Sequence, residues 1–445
     1  MTASVSKQRI RAIMQEFDRS TRYKVARNAA TRSELKNISM NWDRYAKMNH
    51  HFSHSVTNEL PVTNQKVSGR CWLFAALNLL RVKIARKYKL EKFELSQSYL
   101  YFWDKFEKAN FFLESIMATS EQAYESRIVM HLLAAPMQDG GQWHMFTNLV
   151  EKYGVVPQEV YPDSEACKNS TEMCYTLTLK LRENANTLRK LIDEGKNKRA
   201  LQKVKEEMME EIYRILAIHM GTPPTSFDWE FQDKNKKFHA YRNLTPHIFF
   251  EKHVPCNLDD YICLVHSPRK QLTPFNKTYT IQYLGNVVEG KPIKYVNVKM
   301  ETFKKATVKS LLGNEPVWFG CDVGKRFHRE IGIMDLKLYD YDLLYDVQFK
   351  MNKEIRMRSG ESMMTHAMLF TGVNLIDEKP VKWKVENSWG DQKGNKGYYI
   401  MTDDWFEEYM FEVAIEKKYL PKDVKEVEKL KPIALDPWDP LGALA

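Results

Sequence analysis

The residues between Gln65 and Trp72 combine side chains that a covalent acyl transfer requires. Cys71 opens an apolar segment, CWLFAALNLLRVKIARKY, whose lack of charge before Arg81 predicts a buried helix. The N–H groups at a helix N-terminus stabilise a thiolate, so we expect the pKa of Cys71 to be lowered. Gln65, six residues earlier, offers a side-chain amide. Together with the backbone N–H of Cys71, it would form a pair of donors for an oxyanion.

A cysteine nucleophile also needs a base and a group that orients the base. His366 precedes an apolar, strand-like run, HAMLFTGVNL, and Asn387 ends a second one, VKWKVEN. Asn387 can accept a proton from one ring nitrogen of His366, which leaves the other nitrogen for the sulfur. Trp389 is expected to shield that hydrogen bond from water. We therefore predict Cys71, His366, Asn387 and Gln65 as catalytic residues.

The elements that must position these residues are helical early in the chain and β-rich in its last third. Ile10, Ile13, Met14 and Phe17 recur at helical spacing. Residues 175–220 carry two amphipathic stripes joined by DEGKNKR, which predicts a pair of helices. Strand-like runs such as YTIQYL, IKYVNVKM and GYYIMT follow. The fold class predicted from this order is α+β.

Composition limits the class of protein. The chain has 445 residues, 43% of them hydrophobic, so it can bury a large core. Lys and Arg exceed Asp and Glu by ten, with the charges interspersed. No run of about 18 apolar residues predicts a membrane span, and the charged N-terminus is unlike a secretory signal. Six cysteines are too few for a disulfide scaffold, so a reducing, cytoplasmic location is expected.

Three other patterns have ordinary explanations. The segment Gly285–Pro292 nearly matches a phosphate-binding loop, but Pro292 lacks the required hydroxyl and N–H, so a turn is expected. No carboxylate companion accompanies the histidines at 50, 51 and 54, and the cysteine pairs 167/174 and 256/263 are spaced too widely for a zinc knuckle. We expect no metal and no organic cofactor.

The motifs together resemble one family. TNQKVSGRCW, SQSYLYFWDK, DGGQW, EKYGVVP, VWFGCDVGK, MTHAM, WKVENSWG and the terminal WDPLGALA are similar to the papain-like cysteine peptidases, in the bleomycin hydrolase and aminopeptidase C branch. Arg70 replaces the small residue that precedes the nucleophile in papain itself, in agreement with this branch. The 295 residues from Cys71 to His366 exceed the usual gap of about 130–150. A large insertion would account for the excess.

The resemblance implies a two-lobed papain-like fold with a helical insertion and extensions at both ends. It divides the chain into an N-terminal helical extension or hook (1–60), a helical lobe with the nucleophile (61–170), a helical and mixed insertion (171–300), a β-rich lobe (301–430) and a C-terminal arm (431–445). Asp139, Gly140 and Gly141 would pair with the substrate backbone, although a simple turn also fits them. The family further implies a homohexameric ring.

The resemblance also implies a role for the C-terminus. The arm would lie in the cleft, where the carboxylate of Ala445 would pair with the α-amine of a peptide and convert a peptide cleft into an aminopeptidase. A frayed terminus is the alternative. Two other functions stay open: an endopeptidase, and an oligomer that retains the fold and binds nucleic acid through its basic excess. The predicted function is a cysteine aminopeptidase with peptide substrates.

Overall fold

The computed structural model describes residues 4–444, whose helices confirm both helical regions predicted from the sequence. Asn197 begins the second helix of the predicted pair by accepting a hydrogen bond from the N–H of Ala200, and Gly221 ends it at a φ of 79°. The α-helices are α1 (Lys7–Arg19), α2 (Thr21–Ala30), α3 (Leu35–Ser39), α4 (Trp42–Ala46), α5 (Cys71–Tyr88), α6 (Gln97–Ala118), α7 (Arg127–Ala134), α8 (Trp143–Tyr153), α9 (Glu165–Lys168), α10 (Thr171–Asp193), α11 (Lys198–Met220), α12 (Pro246–His253), α13 (Met300–Leu312), α14 (Tyr341–Tyr345), α15 (Lys353–Arg358), α16 (Asp403–Tyr409) and α17 (Lys422–Glu428).

Most strands lie in the second half of the chain, as the sequence predicts. The strands are β1 (His54–Ser55), β2 (Phe227–Gln232), β3 (Phe238–Leu244), β4 (Tyr261–Val265), β5 (Lys277–Ile281), β6 (Tyr295–Asn297), β7 (Val317–Cys321), β8 (Phe327–His328), β9 (Ile333–Met334), β10 (His366–Ile376), β11 (Lys379–Glu386), β12 (Tyr398–Thr402), β13 (Met410–Glu416) and β14 (Ile433–Leu435).

Twelve of these strands form one sheet, and β10 lies near its middle. The order is β14-β5-β6-β4-β13-β7-β10-β11-β12-β9-β8, with β1 paired to the far end of β10. Strands β4, β5 and β6 lie within the predicted insertion (171–300), and β4 pairs directly with β13 of the C-terminal part. One sheet therefore spans residue 300, and the division into domains stays a prediction. The segment from Gly285 to Pro292 forms turns between β5 and β6.

Helix α5 contributes to both of the larger hydrophobic cores among the described residues. All residues from Cys71 to Ala85 are buried, as the uncharged sequence predicts. One core contains most of α5 together with helices α6, α8, α10 and α11, and the other contains the inner strands β7, β10 and β11 with α13 and α16. The helical lobe and the sheet therefore meet along the nucleophile helix.

Buried polar groups fix α5 against the end of β11. Arg81 of α5 forms an ion pair with Glu386 at 2.6 Å, and both side chains are almost fully buried. Asn78, one turn earlier, donates a hydrogen bond of 2.8 Å to the same carboxylate oxygen. Each charge is compensated where water is excluded, so the register between the helix and the strand is set by this contact.

Among the described helices, none has both the length and the apolar character needed to cross a bilayer. Residues 4–444 also contain no group of three His, Cys, Asp or Glu side chains placed to hold a metal ion. All six cysteines are free thiols.

Replacing Glu386 with alanine is expected to lower the free energy of unfolding by about 3–5 kcal/mol, because Arg81 would become a buried charge without a partner. Chemical denaturation followed by tryptophan fluorescence measures the change. Glu121→Ala is the matched control, since Glu121 is exposed in a turn. Equal unfolding midpoints for the two variants would contradict the importance of this pair.

Candidate active site

The loop before α5 places Cys71 at the junction of the two lobes. Gly69 lies directly against Asp139, whose carboxylate accepts a hydrogen bond of 3.0 Å from the Gly69 N–H. A Cβ at Gly69 would come within 2.5 Å of the Asp139 side chain, so only glycine fits there. The Cys71 sulfur is buried, and the backbone N–H groups of Cys71, Trp72 and Ala367 favour its thiolate form. Ala367 directly follows His366 in β10.

The expected lowering of the Cys71 pKa is wrong for the thiol by itself. Burial raises the pKa of Cys71 to about 11, although the three backbone N–H groups oppose that rise. Burial likewise lowers the pKa of His366 to about 4. Low-dielectric surroundings penalise each charge separately. Transfer of the thiol proton to the imidazole would instead create two opposite charges that stabilise one another.

The imidazole of His366 is oriented by Asn387, as the sequence predicts. The His366 Nε2 lies 2.9 Å from the Asn387 Oδ1. The same oxygen accepts a hydrogen bond of 2.8 Å from the backbone N–H of Ser388. Because the Asn387 atom is an acceptor, Nε2 of His366 must carry its proton. The Nδ1 atom is then the unprotonated one, as a base requires.

Trp389 lies beside this hydrogen bond. Its ring centroid lies 4.8 Å from that of His366, and the two planes are inclined by 32°. His366 and Asn387 are both almost completely buried, whereas Trp389 is half-buried. Trp389 therefore lies against the imidazole, and its role as a shield from water stays a prediction.

Gln65 is held by the residue next to Asn387. The hydroxyl of Ser388 donates a hydrogen bond of 2.6 Å to the Gln65 Oε1. The Gln65 Nε2 donates one hydrogen to the carbonyl of Ser68 at 2.5 Å. Because Oε1 accepts from Ser388, the other end of the side-chain amide is Nε2. One N–H of Nε2 is bonded to Ser68, and the second N–H is available to stabilise an oxyanion. The serine in the motif Asn-Ser-Trp-Gly thus positions the predicted oxyanion donor.

The side chain of Asp139 is bonded within the protein. The Asp139 carboxylate points inward and accepts from Tyr101 at 2.6 Å and Ser170 at 2.5 Å, in addition to Gly69. Lys105 lies 2.9 Å from it, and the pKa of Asp139 is held well below its usual range, where burial is opposed by these partners. Its side chain is therefore committed to the fold.

Gly140 is half-buried, and Gly141 is buried beside the start of α5. Lys108 donates a hydrogen bond of 2.6 Å to the Gly140 carbonyl. A Cβ on Gly141 would come within 2.5 Å of the Trp72 ring, so the second glycine is needed for packing beside the nucleophile. Whether their backbone pairs with a substrate remains a prediction.

Arg70 is a residue that sequence reasoning noted without assigning a role. Its guanidinium is fully buried and forms paired hydrogen bonds of 2.9 and 3.1 Å with Asp163. Its Nε also donates to the hydroxyl of Ser68 at 2.9 Å. Arg70 therefore ties the loop that carries Gln65 to the helical lobe. No local pattern in the sequence could reveal this, because Asp163 lies 93 residues away.

The C-terminal arm lines a cavity of about 680 Å³ whose wall includes the residues just before His366. The walls are residues 131–138 of the helical lobe, residues 363–365 just before His366, and residues 437–444 of the arm. Gln142 donates a hydrogen bond of 2.6 Å to the carbonyl of Ala443. Ala445, the predicted substrate-binding terminus, lies outside the described residues.

The sequence matches one protein family over almost its whole length. The model of the Peptidase C1-like family matches residues 4–442. The chain belongs to this family. Aminopeptidase C from Lactobacillus delbrueckii subsp. lactis is 42% identical, covering 100% of this chain and 99% of the relative. Human bleomycin hydrolase is also 42% identical, over 100% of this chain and 99% of its own.

A solved structure of similar sequence has the same fold. The crystal structure of PepW from Lactobacillus rhamnosis HN001 has a TM-score of 0.98 at 44% identity and covers 100% of both chains. The predicted fold class is thus confirmed: this is an α+β peptidase C1-like chain, with the helical part and the sheet meeting at Cys71.

Alkylation of Cys71 by iodoacetamide tests the pairing of its thiol with His366. The unmodified protein is expected to react at neutral pH, because the imidazole accepts the thiol proton. In His366→Ala the thiol must ionise alone, and its pKa, raised to about 11 by burial, leaves it protonated below that pH. We expect the rate at pH 7 to fall about 100-fold or more and to recover only in alkaline solution.

Peptide mapping assigns the reacted thiol among the six. A pH profile for His366→Ala that matches the unmodified protein would contradict the pairing.

Proposed function

We propose that the protein is a cysteine aminopeptidase that removes N-terminal residues from peptides through a thioester on Cys71. The full-length similarity to aminopeptidase C supports this activity. The observation that carries the proposal is that the arm at residues 437–444 lines a cavity together with residues 363–365, which directly precede His366. An arm in that place would shorten the cleft on one side of the nucleophile, as removal of single residues requires.

The reaction begins with transfer of the Cys71 proton to Nδ1 of His366. The sulfur attacks the carbonyl carbon of the first peptide bond, and the backbone N–H of Cys71 and the free N–H of Gln65 stabilise the oxyanion. As the tetrahedral intermediate collapses, His366 gives the proton to the leaving amine. Water, deprotonated by His366, then hydrolyses the thioester and restores the thiol.

Buried contacts hold the arm in register. Asp439 forms two hydrogen bonds, of 2.8 and 3.0 Å, with Arg269, and both side chains are buried. The guanidinium of Arg127 lies 3.7 Å from the ring centroid of Trp438. These contacts fix the position of the arm at Trp438 and Asp439 beside the cavity, which supports a role for the arm in substrate binding. We propose that the Ala445 carboxylate binds the substrate α-amine there.

Hydrolysis of an amide bond in a drug such as bleomycin would use the same active site. An amide carbonyl next to a free amine presents the same groups as the first peptide bond. The similarity to human bleomycin hydrolase supports this second substrate class.

We further propose that the protein is a cytoplasmic homohexamer. The apolar stripe of α1 supports association, because its four members are all exposed in the single chain: Ile10, Ile13, Met14 and Phe17. The free state of all six cysteines fits a reducing compartment. Native mass spectrometry measures the assembly, and a monomer at micromolar concentration would contradict the hexamer.

Deleting residues 443–445 tests the part played by the arm, because the deletion leaves the pair of Asp439 and Arg269 in place. We expect the kcat/KM for a leucyl-fluorophore amide to fall about tenfold or more, through loss of a charged contact to the α-amine. Cleavage of the N-acetyl-leucyl amide, absent in the full chain, should appear. Both rates are measured by fluorescence.

The same deletion in a Cys71→Ala background is the control and should abolish both activities. An unchanged ratio of free to N-acetylated substrate would contradict the role of the arm, whereas activity that survives Cys71→Ala would contradict the nucleophile.

A further inference from the structure

Arg329 stacks on the residue that is predicted to shield the catalytic hydrogen bond. It lies in the turn between β8 and β9, and its guanidinium carbon is 4.2 Å from the ring centroid of Trp389. The Trp389 ring in turn lies 4.8 Å from that of His366. A positive charge is thus separated from the predicted base by one aromatic side chain.

The turn that carries Arg329 is held firmly to the sheet. The next residue, Glu330, forms an ion pair of 2.7 Å with Lys393, and its carbonyl accepts a hydrogen bond of 2.9 Å from Gly394. Phe327, two residues before Arg329, packs against Trp389 with ring centroids 6.1 Å apart. The backbone at Arg329 therefore has a defined position although the side chain is exposed.

The guanidinium of Arg329 has no fixed partner within residues 4–444. Its nearest acidic neighbour in sequence, Glu330, is engaged by Lys393. None of the ion pairs or hydrogen bonds of the described chain includes the Arg329 side chain. A guanidinium carries five N–H donors in a planar fork that matches a carboxylate, and stacking on an aromatic face leaves its edge free for such a partner.

The charge of Arg329 also affects the pKa of the predicted base, His366. Burial is the main cause of the low pKa of His366, and the Arg329 charge lowers that pKa further. Since His366 donates its proton to the leaving amine, the face of the site beyond His366 and Trp389 is the side on which the leaving part of the substrate lies. Arg329 is absent from the walls of the cavity that holds the arm.

We propose that Arg329 binds a carboxylate on the leaving part of the substrate, at the residue directly after the cleaved bond. The ligand is either the α-carboxylate of a dipeptide or the side chain of Asp or Glu at that position. Bound there, the carboxylate would compensate the positive charge next to His366. This inference depends on the proposed peptidase function, and it makes Arg329 a specificity-determining residue.

The test compares two pairs of substrates that differ by one negative charge. Leu-Ala is compared with Leu-Ala-amide for the α-carboxylate, and Leu-Glu-amide with Leu-Gln-amide for the side chain. Leucine release gives kcat and KM for the unmodified protein and for Arg329→Gln, Arg329→Lys and the control Arg199→Gln. Arg199 is exposed at the start of α11 and has no ion pair among the described residues.

We expect Arg329→Gln to reduce the preference for the charged member of one pair about three- to tenfold, mainly through KM. Arg329→Lys should retain part of the preference, and Arg199→Gln all of it. Added salt should weaken the preference in the unmodified protein. The pair that responds identifies the source of the carboxylate.

Unchanged preferences in both pairs for Arg329→Gln, with all four substrates still cleaved, would overturn the inference and leave the peptidase function standing. No leucine release from any substrate by the unmodified protein would instead contradict the proposed function, and the inference with it.

Discussion

The end of strand β11 is the constraint on which the site depends, because four consecutive residues there contact the nucleophile helix, the base and the predicted oxyanion donor. Glu386 pairs with Arg81 of the nucleophile helix, and Asn387 accepts the proton of His366. Ser388 holds the amide of Gln65, and Trp389 covers the imidazole. A strand alternates its side chains between two faces, but the chain leaves the ladder after Glu386. The irregular backbone that follows lets successive side chains reach different partners.

The packing that stabilises the fold also positions the nucleophile and the base. The nucleophile and the base come from different lobes, so their separation depends on the packing of α5 against the sheet. Burial raises the pKa of the Cys71 thiol and lowers that of His366, which keeps both groups neutral when they act alone. Only proton transfer between them gives a thiolate, and the backbone N–H groups at the start of α5 stabilise it. The buried ion pair behind the site holds the geometry in which that transfer occurs.

Much of the site could be predicted because its residues lie in short local motifs. Cys71 with Gln65, and Asn387 with Trp389, lie within seven residues of one another, so their types and spacing indicate their chemistry. The inward carboxylate of Asp139 and the pair of Arg70 with Asp163 depend on contacts between distant segments and could not be read from spacing. The pairing of β4 with β13 could not be predicted for the same reason, because it joins segments about 150 residues apart. The net effect of burial on the Cys71 pKa also requires knowledge of the surrounding core.

A double-mutant cycle between Gln65 and Ser388 tests most directly whether the end of β11 organises the site. The account predicts that Ser388→Ala lowers kcat about tenfold in the unmodified protein, because the oxyanion donor loses its orientation, and that it has almost no further effect in a Gln65→Ala background. Equal losses from Ser388→Ala in both backgrounds would show that the serine acts independently of the amide, and would contradict the account.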